Sequence, residues 1–139
     1  MDLHLAIRVV HVVAATLVIG GMWVMAALLR PPIDEHLRAS MALRFEWLFW
    51  GAFGVSVATG VGNAGAFGAS LPATDTRWGT VFGYKLAAVI VLGALSMVRT
   101  LSVARSVGGS ARALLSRLYA WSAALGTTVV VLAEVLAHG

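Results

Sequence analysis

The chain has 139 residues, of which 60% are hydrophobic and only 12% are charged, and its mean hydropathy is +0.89. Soluble domains carry about 25% charged residues, so this composition excludes a soluble globular protein and indicates an integral membrane protein. The net charge is +4 and cysteine is absent, which excludes disulfides, thiolate metal sites, cysteine-ligated iron–sulfur clusters and covalently attached haem.

Four apolar stretches follow one another along the chain, each with the roughly 20 residues that a helix needs to cross a bilayer. The first stretch ends at Arg30-Pro31-Pro32, because proline cannot continue a helix and restricts the residue before it. Ser40 and Ser110 are the predicted N-caps of the second and fourth helices. The predicted helices are residues 5–29, 47–69, 81–104 and 114–137, within a single domain, 1–139. The apolar parts of the third and fourth are residues 81–98 and 118–137, so the basic segment 99–117 between them is treated as a loop that includes wetter helix ends.

The predicted loops differ in charge. Loops 30–46 and 99–117 hold three and four arginines, whereas loop 70–80 holds only Arg77. The positive-inside rule therefore predicts that the first and third loops are cytoplasmic and that both termini are periplasmic. The predicted fold is an all-α, up-down-up-down bundle of four transmembrane helices in the cell inner membrane. The basic loops suit anionic lipid headgroups, so the predicted partner is the lipid bilayer and not nucleic acid.

A few polar residues lie within the apolar stretches, and ionisable groups there are costly unless they are paired or hydrated. At ~1.5 Å per residue, His11, Asn63, Lys85 and Glu134 all fall near the outer end of the predicted bundle, with Arg8 one turn nearer the surface. A pair such as Arg8–Glu134 or Lys85–Glu134 would reduce the cost of burial.

Each of these residues also has a simpler explanation. The arginine and the lysine can extend their charged ends to the headgroups, with their stems in the apolar layer. His11 can form a hydrogen bond between helices, or it can be a haem ligand, a metal ligand or a proton-handling group.

The second helix is rich in small residues at a spacing of four, including Gly60, Ala64 and Gly68. Such stripes allow helix backbones to approach closely in lipid. They favour tight packing within the bundle, and the alternatives are room for a flat cofactor or for a second subunit.

Three short motifs follow one another, one on each of the first three apolar stretches. They are Arg8-Val-Val-His11-Val-Val-Ala-Ala followed by Gly20-Gly21, then Ala58-Thr59-Gly60, and then Phe82-Gly83-Tyr84-Lys85-Leu86. The chain resembles the copper-resistance protein D (CopD) superfamily and the related HemJ-type membrane protoporphyrinogen oxidases. The resemblance implies that His11 contacts haem or a metal. It also implies that Lys85 binds a carboxylate, such as a porphyrin propionate, or serves as a structural cation.

Three functions follow as hypotheses. The first is a CopD-like membrane component in a redox or metal-homeostasis context, which binds haem b or another porphyrin, or handles copper. Its ligand to the metal would be His11, supported by Arg8, Asn63, Lys85 and Glu134. The second is a non-catalytic subunit of a larger respiratory or photosynthetic complex, with other membrane subunits or further copies as partners. The third is a HemJ-like oxidase, although the chain on its own favours a non-enzymatic role.

Overall fold

The computed structural model describes residues 2–65, 76–105 and 112–138, without the side chains of 62–65, 112 and 136–138. The described ranges contain helices and no strand, so the all-helical prediction is confirmed. The four helices are α1 (Leu3–Leu28), α2 (Glu35–Gly65), α3 (Arg77–Arg105) and α4 (Arg112–His138). Within the described ranges, three segments are long and apolar enough to cross a membrane, which indicates a multi-pass membrane protein: Leu3–Leu28, Arg77–Arg105 and Ala113–Val135. The helix α2, which was also predicted to cross the membrane, is not among them.

The start of α2 differs most from the prediction, since the helix begins at Glu35 and not near residue 47. Asp34 is the N-cap residue, and its carboxylate accepts a hydrogen bond of 3.0 Å from the backbone N–H of Leu37. That hydrogen bond holds the pKa of Asp34 below its ordinary value. The predicted cap at Ser40 is therefore wrong, and Ser110 lies outside the described residues.

The start of α2 was predicted too late because its first turns are amphipathic and do not form a continuous apolar run. Ala42 is 1% exposed and packs in the same cluster as Leu29, although the polar residues between them in sequence obscure any apolar run. The described connection between α1 and α2 is consequently much shorter than the predicted loop 30–46.

The helices form a ring in which α1 packs on α2 and α4, α3 packs on α4, and α2 and α3 have the least contact. Along α1, His11 lies against Ser56 whereas Gly21 lies against Phe45, so α1 and α2 run antiparallel. Ser116 likewise donates a hydrogen bond to the carbonyl oxygen of Ala26, near the end of α1 and the start of α4.

The buried core is concentrated at one end of the bundle, which we call the Arg99 end, where α1 and α3 finish and α2 and α4 begin. The opposite end, which we call the His11 end, is packed more loosely. The largest fully buried side chains, all below 2% exposure, are Met22, Leu29, Phe49, Arg99, Leu115 and Tyr119.

Candidate functional site

His11 is held by α2 through one nitrogen of its ring. Its Nδ1 atom lies 2.9 Å from the carbonyl oxygen of Ser56 and 3.1 Å from Oγ1 of Thr59. The carbonyl can only accept, so Nδ1 carries the proton and donates it. The Thr59 hydroxyl donates to the carbonyl oxygen of Val55 at 2.6 Å. The neutral His11 ring therefore keeps Nε2 as its acceptor, available to a ligand.

Gly60 gives the His11 ring its room. A Cβ atom at Gly60 would lie 3.2 Å from Cε1 of His11, which is tighter than an ordinary van der Waals contact. The small-residue stripe on α2 was expected to bring helix backbones together. At this position, the absent side chain instead accommodates the imidazole.

His11 and Lys85 line the same cavity at the His11 end, with a volume of about 170 Å³. All four helices contribute, and the walls are mostly aliphatic and aromatic. Lys85 is half-buried and lies on α3 within the same lining. The cavity is therefore an apolar space with two nitrogen-bearing side chains at its wall.

The cavity lies between the diverging halves of α2 and α3, and we call it the α2/α3 cleft. At the Arg99 end the two helices are joined by Glu46–Arg99 and by Trp50–Thr100. Towards the His11 end, the lining residues Val57, Val61 and Leu86 are exposed on the outer faces of α2 and α3. The limited contact between α2 and α3, together with these exposed lining residues, indicates that the cleft is open to the outside between these two helices.

Of the other three predicted site residues, Arg8 and Glu134 do not join His11 and Lys85 in the cleft lining. The Arg8 and Glu134 side chains are exposed and are not among the residues that line the cavity. Asn63 belongs to α2, and its side chain lies outside the described part of the chain. The pairing of Glu134 with Arg8 or Lys85 stays a prediction.

A second polar cluster, at the Arg99 end, was missed from the sequence. Arg99 was expected in a cytoplasmic loop with Glu46 in another, but both are buried within helices, at 0% and 4% exposure. Nε of Arg99 donates to Oε1 of Glu46 at 2.7 Å, and Nη2 donates to Oε2 at 3.1 Å. These two parallel hydrogen bonds give the bidentate arrangement that arginine forms with carboxylates.

The cluster satisfies the Glu46 carboxylate fully. Both the Tyr119 hydroxyl, at 2.6 Å, and the Thr100 hydroxyl donate to it. The Arg99 guanidinium also lies over the Phe49 ring, 4.2 Å from its centroid, and over the Tyr119 ring at 4.8 Å. These contacts fit a structural role, because the charges are paired and surrounded by aromatic rings.

A usable signal for this cluster existed in the sequence. Glu46 begins the apolar part of α2 and Arg99 ends that of α3, so opposite charges stand at matching depth on adjacent antiparallel helices. Each of the two charges also matches the usual charged end of a single membrane helix, and for this reason the pair was not predicted.

Replacing Tyr119 by phenylalanine is expected to lower the free energy of unfolding by about 1.5–3 kcal/mol, the usual worth of a hydrogen bond to a charged group. The ring packing is kept, and only the hydroxyl that donates to Glu46 is lost. Unfolding in mixed micelles during a titration with dodecyl sulfate measures this difference. A change no larger than that of Tyr84→Phe, at an exposed position of α3, would contradict the role of the hydroxyl.

The described residues do not build a metal site by themselves. Nowhere among them do three or more histidine, aspartate or glutamate side chains come together in a way that would hold a metal ion. Copper bound by His11 would need ligands from a partner or from side chains beyond the described part.

The side chains of the cleft have the chemistry to bind a porphyrin, but the volume of the cavity is too small for the whole molecule. A histidine with its Nδ1–H bound to a carbonyl is typical of metal-ligating imidazoles, and an ammonium suits a propionate. However, the cavity of about 170 Å³ is close to the ~150 Å³ that holds a benzene molecule. The four-ring macrocycle therefore does not fit inside unless much of it extends through the opening.

Comparisons with protein-family models, with curated proteins and with solved structures found no match for this chain. The interpretation of the cleft accordingly depends on its own geometry: one oriented imidazole, one ammonium, apolar walls and a sideways opening.

Proposed function

We propose that the chain is an integral membrane component of a redox or metal-homeostasis system, and that it binds a ring-shaped ligand at the α2/α3 cleft. The observation that carries this proposal is the orientation of His11, whose Nδ1–H is bound to the carbonyl of Ser56 while Nε2 remains available. Haem b or another porphyrin is the ligand that the CopD-like resemblance suggests, with Lys85 as the cation for a propionate.

The same proposal includes a placement in the inner membrane. Exposed tryptophans at the Arg99 end, Trp47 at 83% and Trp121 at 68%, suit a membrane interface, as does the exposed Tyr84 at the His11 end. Exposed arginines gather at the Arg99 end, which the positive-inside rule assigns to the cytoplasm. They are Arg30, Arg44, Arg105 and Arg117. The cleft and both termini would then face the periplasmic side.

In this arrangement, the chain's own residues position the ligand. The carbonyl of Ser56 orients the imidazole of His11, so His11 would hold the iron of a haem through Nε2, and Lys85 would neutralise one of its carboxylates. Haem b would supply one-electron chemistry when bound.

The absorption spectrum of the purified protein tests the haem assignment. We expect a Soret band whose intensity per protein falls at least ~10-fold in His11→Ala, because a metal–ligand bond is lost. The matched control is His4→Ala, since His4 is an exposed histidine on the same helix. An unchanged Soret band in His11→Ala would overturn the assignment of His11, and a colourless native protein would overturn haem binding.

A specific observation also favours the accessory-subunit hypothesis. On the outer side of α1 and α2 lies an open apolar groove of about 420 Å³, lined by Val13, Leu17, Trp47 and Gly51 among others. Such a surface accommodates lipid chains or a neighbouring helix. A colourless protein that purifies only together with other membrane subunits would support this second function. The HemJ-like oxidase stays a prediction, tested by assaying porphyrinogen oxidation by the isolated chain.

A further inference from the structure

The α2/α3 cleft has about the size of one substituted ring. Its volume of about 170 Å³ is well below the ~300–1,000 Å³ of pockets for drug-sized ligands and near the ~150 Å³ of a benzene-binding cavity. A ligand that fits without rearrangement of the helices is therefore a single ring, and any larger portion must leave through the opening.

The cleft is open where its lining residues are exposed. These residues are Val57 and Val61 on α2, Leu86 on α3 and Val130 on α4, which are 41%, 68%, 47% and 47% exposed. These side chains are purely aliphatic. A hydrocarbon tail that passes between them therefore makes apolar contacts only. The ligand class that suits this route dissolves in the bilayer and carries a polar ring on an apolar tail.

The two polar side chains of the cleft specify complementary groups on that ring. Neutral His11 has its Nδ1–H bound to Ser56, so its Nε2 accepts a hydrogen bond from the ligand. The Lys85 ammonium only donates. The matching ring has a hydroxyl that donates to Nε2 and an oxygen that accepts from Nζ, which is the pattern of a hydroquinone.

We infer that the α2/α3 cleft binds the headgroup of a lipid-soluble isoprenoid quinol. One hydroxyl donates to Nε2 of His11, the other oxygen accepts from Lys85, and the tail leaves between α2 and α3. This inference rests on the proposed ligand site, but it replaces the four-ring ligand by a one-ring ligand. The oxidised quinone has no hydroxyl to donate to neutral His11, so the quinol is the form bound more tightly.

Calorimetric titration of the protein in phosphatidylcholine nanodiscs with ubiquinol-1, kept reduced under anaerobic conditions, tests the inference. We expect saturable binding of one ubiquinol-1 per chain and weaker binding of ubiquinone-1. His11→Leu and Lys85→Met should each raise Kd about 3–10-fold, the usual effect of losing one hydrogen bond. Empty nanodiscs provide the correction for partitioning into lipid.

Variants that fill the cavity separate binding in the cleft from binding elsewhere. Ala15→Phe on α1 and Val89→Phe on α3 place a ring among the residues that line the cavity, so both should abolish binding. Val12→Phe and Ile90→Phe introduce the same ring at exposed neighbouring positions outside the lining, and both should bind normally. Because two helices are tested, a folding failure of one variant leaves the other to decide.

The two proposals fail in distinguishable ways. Saturable ubiquinol-1 binding in a colourless protein, lost in the cavity-filling variants, supports the quinol site and removes haem. A Soret band that depends on His11, together with no ubiquinol-1 binding, keeps the proposed function and overturns the quinol inference. Binding that is not saturable, or that is equal in Ala15→Phe and Val12→Phe, also overturns it.

Discussion

Removing either side of the Arg99–Glu46 pair is expected to lower the free energy of unfolding by about 3–5 kcal/mol, because each single change leaves an uncompensated buried charge. Arg99→Met leaves the Glu46 carboxylate at 4% exposure without its two strongest donors. Glu46→Leu leaves the guanidinium fully buried without an anion. These are the largest effects that we expect from single substitutions in the described part of the chain.

The double variant Arg99→Met with Glu46→Leu is expected to recover most of the loss. No charge then remains buried, and well-packed apolar replacements of buried ion pairs are often neutral or stabilising. The Tyr119 and Thr100 hydroxyls lose their common acceptor, which limits the recovery. A double-mutant cycle measured by dodecyl sulfate titration gives the coupling energy between the two side chains.

Glu35→Gln is the matched control, since Glu35 lies on the same helix and its ion pair with Arg38 is partly exposed, with an N···O distance of 3.7 Å. Pairs of that kind contribute about 0–1 kcal/mol. Additive single effects in the double variant, or a loss no greater than that of Glu35→Gln, would show that Arg99 and Glu46 are not coupled in the folded protein.

Gly21→Leu is expected to lower the free energy of unfolding by about 1–3 kcal/mol through overpacking. A Cβ atom at Gly21 would clash with Cε2 of the Phe45 ring. That ring has little room to move, because it packs edge-on against Tyr119, with centroids 5.6 Å apart, and contacts Phe49. The helix α1 must therefore shift away from α2 to accept any side chain at this position.

The adjacent glycine provides the control for this effect. A Cβ atom at Gly20 would meet nothing within 4 Å, so Gly20→Leu adds a side chain on the exposed surface. Both variants gain the same helix propensity, and only Gly21→Leu meets the clash. Thermal unfolding in detergent, followed by fluorescence-detected size exclusion, should show a lower Tm for Gly21→Leu alone. Equal Tm values would mean that Phe45 moves aside without cost.

Both predictions concern the Arg99 end, and both bear on the cleft. Glu46–Arg99 and Trp50–Thr100 hold α2 to α3 at that end, whereas the same helices separate around His11 and Lys85. The hydrogen bonds at the Arg99 end therefore hold together the two helices that separate at the cleft. The loose packing around the cleft suits a region that must admit a ligand, because such regions are drawn from the less stable parts of a fold.

Part of the candidate site, the shared depth of His11 and Lys85, could be predicted from the sequence. Matching depth along antiparallel helices placed His11 and Lys85 at the same level, and the structure has both lining one cavity. The same reasoning included Arg8 and Glu134, which are exposed and outside the lining. Depth follows from counting residues, but the side of the helix on which a residue lies depends on how each helix is rotated in the bundle.

By itself, the sequence determined the helical class and the existence of four helical segments, three of which are apolar enough to cross a membrane within the described ranges, because these follow from composition and from local apolar runs. Only the tertiary structure decided that Arg99 and Glu46 are buried partners and that Gly60 makes room for His11. Those features join residues far apart in sequence. Their energies depend on helix rotation and packing, for which neither hydropathy nor spacing along one helix carries a signal.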